Sequence, residues 1–301
     1  MVTIRKKTVG NHTYYYLEHS FREGRKVHKK GKIIGKNLPH NIEELKQEFM
    51  IGSMAEIYQE KWFDKFDEIK AEFLDQEKIT PQSAREKETE TFAIRFTYDT
   101  NRIEGSTLTL RDTANLLERG MTPGARPLSD VKETEAHKNT FYEMLNYKKD
   151  LSFNAILYFH KKLFEGTKPD IAGIIRSHQV AIAGSKFMPP FPAEIYPLLM
   201  EFFNWYDKNK NTMHPVQLAA LVHLKLVTIH PFADGNGRIS RLMMNFVLYK
   251  YGYPMLNIPY EKRNGYYNSL ERSQTNQDEN KFLQWIFKRY LTEHKQYLTE
   301  M

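Results

Sequence analysis

From residue 41 onward the apolar positions recur at helical spacing. Leu45, Phe49, Ile57, Trp62, Phe66, Ile69 and Phe73 are separated by acids and lysines, which predicts one long amphipathic helix or two across 41–77. Thr80-Pro81-Gln82-Ser83 breaks the run. A helix over 86–104 then stops at Gly105, a residue suited to a left-handed cap. Thr109 with Asp112 reads as a capping box for a helix ending at Gly120, and Asp130 with Glu133 opens another that runs to Tyr147. Ser152 precedes a helix through Phe164. Further helices are predicted over 193–209, 215–229, 238–251 and 265–275, with Asp278 as the cap of a last one.

Two stretches break this pattern. Residues 1–38 are rich in strand formers, with one strand over 13–17, a turn at Arg22-Glu23-Gly24-Arg25 and a second strand over 26–32. Residues 173–192 alternate Ile174, Ile175, Val180 and Ile182 before Phe187-Met188-Pro189-Pro190, which predicts a short hairpin turning at Ala183-Gly184-Ser185. The expected fold is mainly α, with β structure confined to an N-terminal arm and one hairpin. The expected divisions are the arm at 1–40, a helical connector at 41–85 and a large helical domain at 86–301.

Charge sharpens the first boundary. Residues 1–40 hold ten basic residues against two acids, Glu18 and Glu23, a net +8, and the remaining 261 residues sum to −1. The chain is thus a near-neutral body with a basic arm. Its 41% hydrophobic content is too rich for a disordered chain. No apolar run is long enough for a transmembrane helix, and MVTIRKKTVG lacks the apolar core of a signal peptide. The chain has no cysteine, which excludes disulfides, thiolate nucleophiles and Cys-ligated zinc. A cytoplasmic protein without membrane contact is expected.

Candidate chemistry concentrates in His230-Pro231-Phe232-Ala233-Asp234-Gly235-Asn236-Gly237-Arg238-Ile239-Ser240-Arg241. The segment joins two strongly apolar helices, which suits a preorganised site. Gly235 and Gly237 permit backbone dihedrals that expose consecutive N–H groups as an anion nest opening into a helix N-terminus. Arg238 and Arg241 share a helix face and can clamp a polyphosphate. Asp234 suits a divalent metal that bridges phosphates, and His230 is the one base titrating near neutrality. Singly, each feature reads as an ordinary turn; here all fall within twelve residues.

His-Pro-Phe-x-Asp-Gly-Asn-Gly-Arg-x-x-Arg resembles the signature of the Fic family at every position. The resemblance spans residues 86–287 and includes Gly173-x-x-Arg176, Val180–Ile182 with Pro189-Pro190, and Tyr266-Tyr267. It implies a Fic-type helical bundle and the transfer of AMP from ATP, with Mg²⁺, to a hydroxyl of a target protein. It implies His230 as general base, Asp234 as the Mg²⁺ ligand, and Gly235, Asn236 and Gly237 as the anion hole. Arg238 and Arg241 would meet the β- and γ-phosphates. Val180, Ala181, Ile182 and Ala183 would form a flap that registers the target by strand addition and covers the nucleotide. Tyr266, Tyr267 and Gln274 would lie by the nucleoside. Asp234 and Gly237 separate the chain from the family's phosphotransferase branch, which resembles it except for Lys in place of Gly237.

Thr100-Asn101-Arg102-Ile103-Glu104-Gly105 resembles the family's inhibitory helix, in the class that carries it N-terminal to the signature. Thr100 and Glu104 lie one turn apart and share a face; the resemblance implies that Glu104 pairs with Arg241 and blocks the γ-phosphate. The resemblance also implies self-modification and control of Glu104 by a homodimer. Alternatives stay open: removal of AMP, transfer of another nucleotide or phospho group by the same site, or a nucleic-acid-binding regulator acting through the arm. For the arm, a solvated basic hairpin that docks the body or a partner is the competing reading.

Overall fold

The computed structural model describes residues 2–23 and 26–299, which fall into two compact units, Met1–Lys65 and Phe66–Met301.

In the first unit, strands β1 (Val2–Val9), β2 (His12–Glu23) and β3 (Lys26–Gly35) form an antiparallel sheet in the order β1-β2-β3. Three strands stand where two were expected, because the basic stretch before Val9 pairs with β2 through its whole length, Val2 opposite His19 and Val9 opposite His12. Of the expected turn at 22–25, Gly24 and Arg25 lie outside the described residues. One face carries Ile4, Leu17 and His19 and packs on helix α1 (Ile42–Tyr58), where His19 Nε2 lies 3.3 Å from Met54 Sδ. A π-helical turn, Gln59–Phe63, leads to α2 (Asp64–Ile79), so the run over 41–77 is two helices joined by an underwound break.

The second unit is helical. It comprises α2 from Phe66 onward, α3 (Gln82–Ile103), α4 (Leu110–Arg119), α5 (Leu128–Asn146), α6 (Phe153–Phe164), α7 (Pro192–Asn209), α8 (Pro215–Ile229), α9 (Asn236–Lys250), α10 (Arg263–Asn276) and α11 (Asn280–Glu293). The capping box of α4 forms as expected, with Thr109 and Asp112 exchanging hydrogen bonds and Gly120 left-handed at the far end. Helix α5 instead begins at Leu128 after Pro127, which frees Asp130 to accept from Thr107 N and Oγ1. Helices α8 and α9 form the centre: α8 packs against α7, α9 and α11, and α9 also meets α3, α5 and α6. Helix α8 is apolar almost all round, which suits burial on every side, whereas α9 buries Asn236, Arg238, Ser240, Arg241 and Asn245 beside its apolar residues.

The expected hairpin over 173–192 is corrected. The segment has no paired strands; it runs extended and reverses at a turn in which Ser185 N donates to Ile182 O and Gly184 has φ +75°. Val180 and Ile182 are half-buried while Ala181 and Ala183 are exposed, so the strand-like alternation is present without a partner strand. The limbs are held by side chains instead, as described below.

Candidate active site

Helix α8 ends at His230, which is left-handed (φ +52°, ψ +56°), a conformation few non-glycine residues adopt. Two hydrogen bonds hold it there: His230 N donates to Leu226 O at 3.0 Å, and Nδ1 lies 3.1 Å from Val227 O. A carbonyl only accepts, so Nδ1 carries the proton and Nε2 is left as the basic lone pair. Burial pushes the imidazole below its ordinary value, and the Val227 carbonyl only partly offsets this. At neutral pH His230 is therefore an uncharged base of fixed tautomer.

The loop is closed from inside. Asn236 Oδ1 accepts from Phe232 N at 2.9 Å and its Nδ2 donates to Phe232 O at 2.8 Å, so this amide shapes the loop and leaves anion binding to the backbone. Phe232 stacks on His160 with centroids 3.8 Å apart. His160 Nδ1 accepts from Gly173 N at 2.9 Å, and Nε2 donates to Asp234 O at 3.0 Å. Burial lowers this imidazole to about 4, which keeps it neutral. Gly235 is left-handed (φ +77°), and a Cβ there would overlap the Phe164 ring. The first-turn N–H groups of Asn236, Gly237 and Arg238 have no intrahelical acceptor and point out of the α9 N-terminus.

Charged side chains surround that terminus. Asp234 Oδ1 accepts from Gly235 N at 2.5 Å and from Arg238 Nη2 at 3.1 Å, while Oδ2 takes Lys168 Nζ at 2.6 Å. Arg238 also pairs with Glu133 on α5 and lies over the Phe164 ring at 4.6 Å. Burial alone would raise the Asp234 carboxyl, but Arg238 and Lys168 overcome it and hold the group below its usual range. The carboxylate is thus ionised, 37% exposed and already seated on a cation. One such carboxylate, with phosphate oxygens and water, is a normal environment for Mg²⁺, so the residues present fit that metal.

Arg241 is fully buried behind the nest. Its Nη2 donates to Glu104 Oε1 at 2.6 Å and to Thr100 O at 3.2 Å, its Nε to Thr100 Oγ1 at 3.3 Å, and its Nη1 to Tyr266 OH at 3.3 Å. Tyr266 OH is in turn 2.9 Å from His223 Nε2. The end of α3 is placed by buried polar contacts. Asp99 accepts from Arg95, Asn257 and Tyr260 N, Thr97 meets His137 at 2.9 Å, and Tyr267 OH donates to Ile103 O at 2.9 Å. Gly237 has ordinary helical dihedrals; it is glycine because a Cβ would overlap Glu104 Oε1.

The limbs of the 173–192 segment are clamped to the His230 loop by Arg176. Its guanidinium donates to His230 O at 2.8 Å, His178 O at 2.8 Å and Pro190 O at 2.6 Å. Glu271 on α10 holds the tip, accepting from Ser185 Oγ and Lys186 N. Gln274 donates to Thr228 Oγ1 at 3.1 Å, and both line a cavity of about 410 Å³ with Phe202, Trp205, Leu224 and Ile229.

His230, Asp234, Gly235, Asn236, Gly237, Arg238, Arg241, Thr100 and Glu104 therefore converge. Tyr266 is buried behind Arg241, whereas Tyr267 is 44% exposed. Sequence reasoning missed Lys168, His160 and Glu271, which carry no local motif, and read Glu133 only as a helix-opening residue; each reaches the site from a distant element.

Residues 150–248 match the Fic/DOC family. The chain is 38% identical to protein adenylyltransferase Fic of Drosophila yakuba over 173 residues, 56% of this chain and 34% of that one. It is 32% identical to the Drosophila mojavensis protein of the same name over 237 residues, 77% of this chain and 46% of that one. It thus spans between a third and a half of the length of these curated relatives. A Fic-domain-containing signaling protein from Bacteroides thetaiotaomicron superposes with a TM-score of 0.69 at 27% identity, covering 77% of this chain and 94% of that one. Fic-1 from C. elegans gives 0.68 at 28% identity, covering 86% and 77%. The signature loop, its helical frame and these likenesses agree that residues 150–248 form a Fic domain.

Proposed function

We propose that this chain is a protein adenylyltransferase, transferring AMP from ATP to a hydroxyl side chain of a target protein or of itself. The observation that carries the reading is the pinned tautomer of His230 beside an anion-binding helix terminus flanked by Arg238 and Arg241. The α9 N–H groups and the two arginines would bind the polyphosphate and present the α-phosphate. The target hydroxyl oxygen forms the new bond to that phosphorus. The bond to the β-phosphate's bridging oxygen breaks, pyrophosphate leaves, and the hydroxyl proton passes to His230 Nε2. Asp234 would hold Mg²⁺, which when bound neutralises phosphate charge. Among the described residues of the flap, only Ile182 O of positions 180–183 takes part in a backbone hydrogen bond, which leaves an open edge for an extended target segment.

Glu104 supports an autoinhibited ground state. Its carboxylate occupies the Arg241 guanidinium that a γ-phosphate would need. The test is intact-mass analysis after incubation with MgATP. Glu104→Gly should gain AMP mass far faster than wild type, and Glu104→Gly/His230→Ala should gain none. A phosphate or larger nucleotide mass would reassign the donor group, and release of AMP from a modified protein would reassign the direction.

A second reading concerns the first unit alone and rests on charge segregation. The sheet face turned away from α1 carries Arg5, Lys7 and Lys29 with Tyr14 and Tyr16, whose rings lie under Lys36 and Lys7, and one acid, Glu18, which pairs with Arg5 and Lys29. The acids Glu43, Glu44, Glu48, Glu56 and Glu60 lie on α1 and the turn after it. A basic face interleaved with aromatics fits a nucleic-acid strand. Binding that falls steeply with salt, is lost in Arg5→Glu/Lys7→Glu/Lys29→Glu and survives His230→Ala supports this; salt-insensitive or absent binding removes it.

A further inference from the structure

Four side chains at the mouth of the site close a ring of alternating charge. Glu133 Oε1 lies 3.1 Å from Lys168 Nζ, and Lys168 Nζ lies 2.6 Å from Asp234 Oδ2. Asp234 Oδ1 lies 3.1 Å from Arg238 Nη2, and Arg238 Nη1 returns to Glu133 Oε2. The ring has a floor and a lip. Arg238 and Glu133 are buried, at 6% and 14% side-chain exposure, whereas Lys168 and Asp234 are 39% and 37% exposed. The two oxygens of Asp234 are also unequal. Oδ1 is tied to Gly235 N and Arg238, both fixed parts of the α9 terminus, while Oδ2 receives Lys168.

We propose that Lys168 is a tethered cation that competes with a divalent metal for Asp234 Oδ2 and so gates metal loading, falling back on Glu133 when it is displaced. The inference rests on the reading of Asp234 as the metal-holding carboxylate. Two carboxylates facing each other across one gap repel and need a positive charge between them. Lys168 supplies it from the chain just beyond α6, where Lys168 N is anchored to Phe164 O at 2.8 Å. An ammonium on a flexible stem is a compact point charge without the fork geometry of arginine, so it exchanges readily for another cation. Release is cheap because Lys168 keeps a second carboxylate: when Oδ2 is taken, Glu133 Oε1 remains within reach. Both cations lie over the Phe164 ring and bond both acids, but Arg238 cannot play this part because its side chain is 6% exposed against 39% for Lys168.

The test uses Mn²⁺ alone with the nucleotide-free full chain, reading free Mn²⁺ by electron paramagnetic resonance and thermal stability by calorimetry. Lys168→Met should bind Mn²⁺ about tenfold more tightly than wild type, the scale of one partly screened charge removed from the site. Its melting temperature should rise with Mn²⁺, where wild type changes little. Lys168→Met/Asp234→Asn should lose that gain, and Lys168→Arg should bind Mn²⁺ as weakly as wild type. Equal Mn²⁺ affinity in Lys168→Met and wild type would overturn the proposal, as would a gain that survives Asp234→Asn. Should Lys168→Met fold poorly, Lys168→Gln carries the same comparison. A separate arm titrates Mg²⁺ into a non-hydrolysable ATP analogue with Glu104→Gly and Glu104→Gly/Lys168→Met. A fall in the Mg²⁺ needed for half-saturation supports gating. Weaker analogue binding by the double variant at every Mg²⁺ concentration would make Lys168 a phosphate clamp and overturn it. Failure of Glu104→Gly to bind any analogue counts against the adenylyltransferase reading and leaves the Mn²⁺ result to decide the gate.

Discussion

Arg241 Nη2 donates to Glu104 Oε1 at 2.6 Å, and the two groups differ sharply in exposure: 1% for the arginine side chain and 27% for the glutamate. The asymmetry decides what removal of each would do. Truncating Glu104 leaves a buried guanidinium with Thr100 Oγ1, Thr100 O and Tyr266 OH but no counter-ion. Losing one partner of a buried pair costs about 3–5 kcal/mol, and the exposed glutamate and surviving acceptors reduce this to roughly 1–3 kcal/mol. Glu104→Gly should therefore melt at lower temperature than wild type without nucleotide and recover the difference in saturating MgATP, whose phosphate replaces the carboxylate. A variant as stable as wild type in both conditions would show that Arg241 does not depend on Glu104.

Gly237 faces the same carboxylate, and its missing Cβ is the space Glu104 Oε1 occupies. A Cβ would also come within 3.1 Å of Arg241 Nη1. Gly237→Ala should destabilise the wild-type chain by about 1–3 kcal/mol through overpacking, and by clearly less in a Glu104→Gly background. Chemical denaturation of the four proteins of this cycle gives the coupling. Additive effects would mean that residue 237 and Glu104 do not share the space.

Much of this arrangement is legible in the sequence, and the reason is local. The twelve-residue loop and the Thr100–Glu104 turn each place chemistry within one or two helical turns, so spacing alone puts the groups on one face. What is not legible comes from elsewhere. Lys168 and Glu133 meet Asp234 and Arg238 only because α5 and the exit from α6 pack around the α9 terminus. The hairpin expectation failed for a related reason. Alternation at Val180–Ile182 records which side chains face inward, but the limbs are joined by side chains, Arg176 to Pro190 O and Gln179 to Pro189 O, and not by a backbone ladder. The first strand was missed because Arg5, Lys6 and Lys7 mask its β propensity, although Lys6 and Lys7 lie over the Tyr15 and Tyr16 rings and Arg5 pairs with Glu18.

Arg176 is 4% exposed and spends its guanidinium on three carbonyls, one on each flap limb and one at His230. Arg176→Ala strands all three, at a cost of about 2–4 kcal/mol for the set. The flap should then lose its register relative to the catalytic loop. In a Glu104→Gly background the expected result is a raised KM for the target with smaller change in nucleotide affinity, and faster proteolysis at 180–186. Arg176→Lys should rescue poorly, since one ammonium cannot reproduce the planar fork. Full rescue by lysine would reduce the role of Arg176 to its charge.

The pH dependence follows from which imidazoles stay neutral. Burial lowers His230 below its ordinary value of 6.5, so the base form persists into mildly acidic solution. The acid limb of kcat/KM for Glu104→Gly should therefore lie below pH 6.5, reporting His230 in the free enzyme. Stability limits how far that limb can be followed. His160 and His137 are lowered to about 4 and about 3, each chiefly by burial, and both are neutral in the folded chain. The unfolded chain takes up protons at these residues near 6.5. Their contribution is thus complete above that pH and is lost as pH falls toward 4 and then 3, at about 1.4 kcal/mol per pH unit for each group. His160→Gln should flatten the slope of stability against pH between 6 and 4 by about that amount, while leaving the kinetic acid limb in place. If the limb moved with the His160 substitution, it would be reporting unfolding of the loop and not the proton on His230 Nε2.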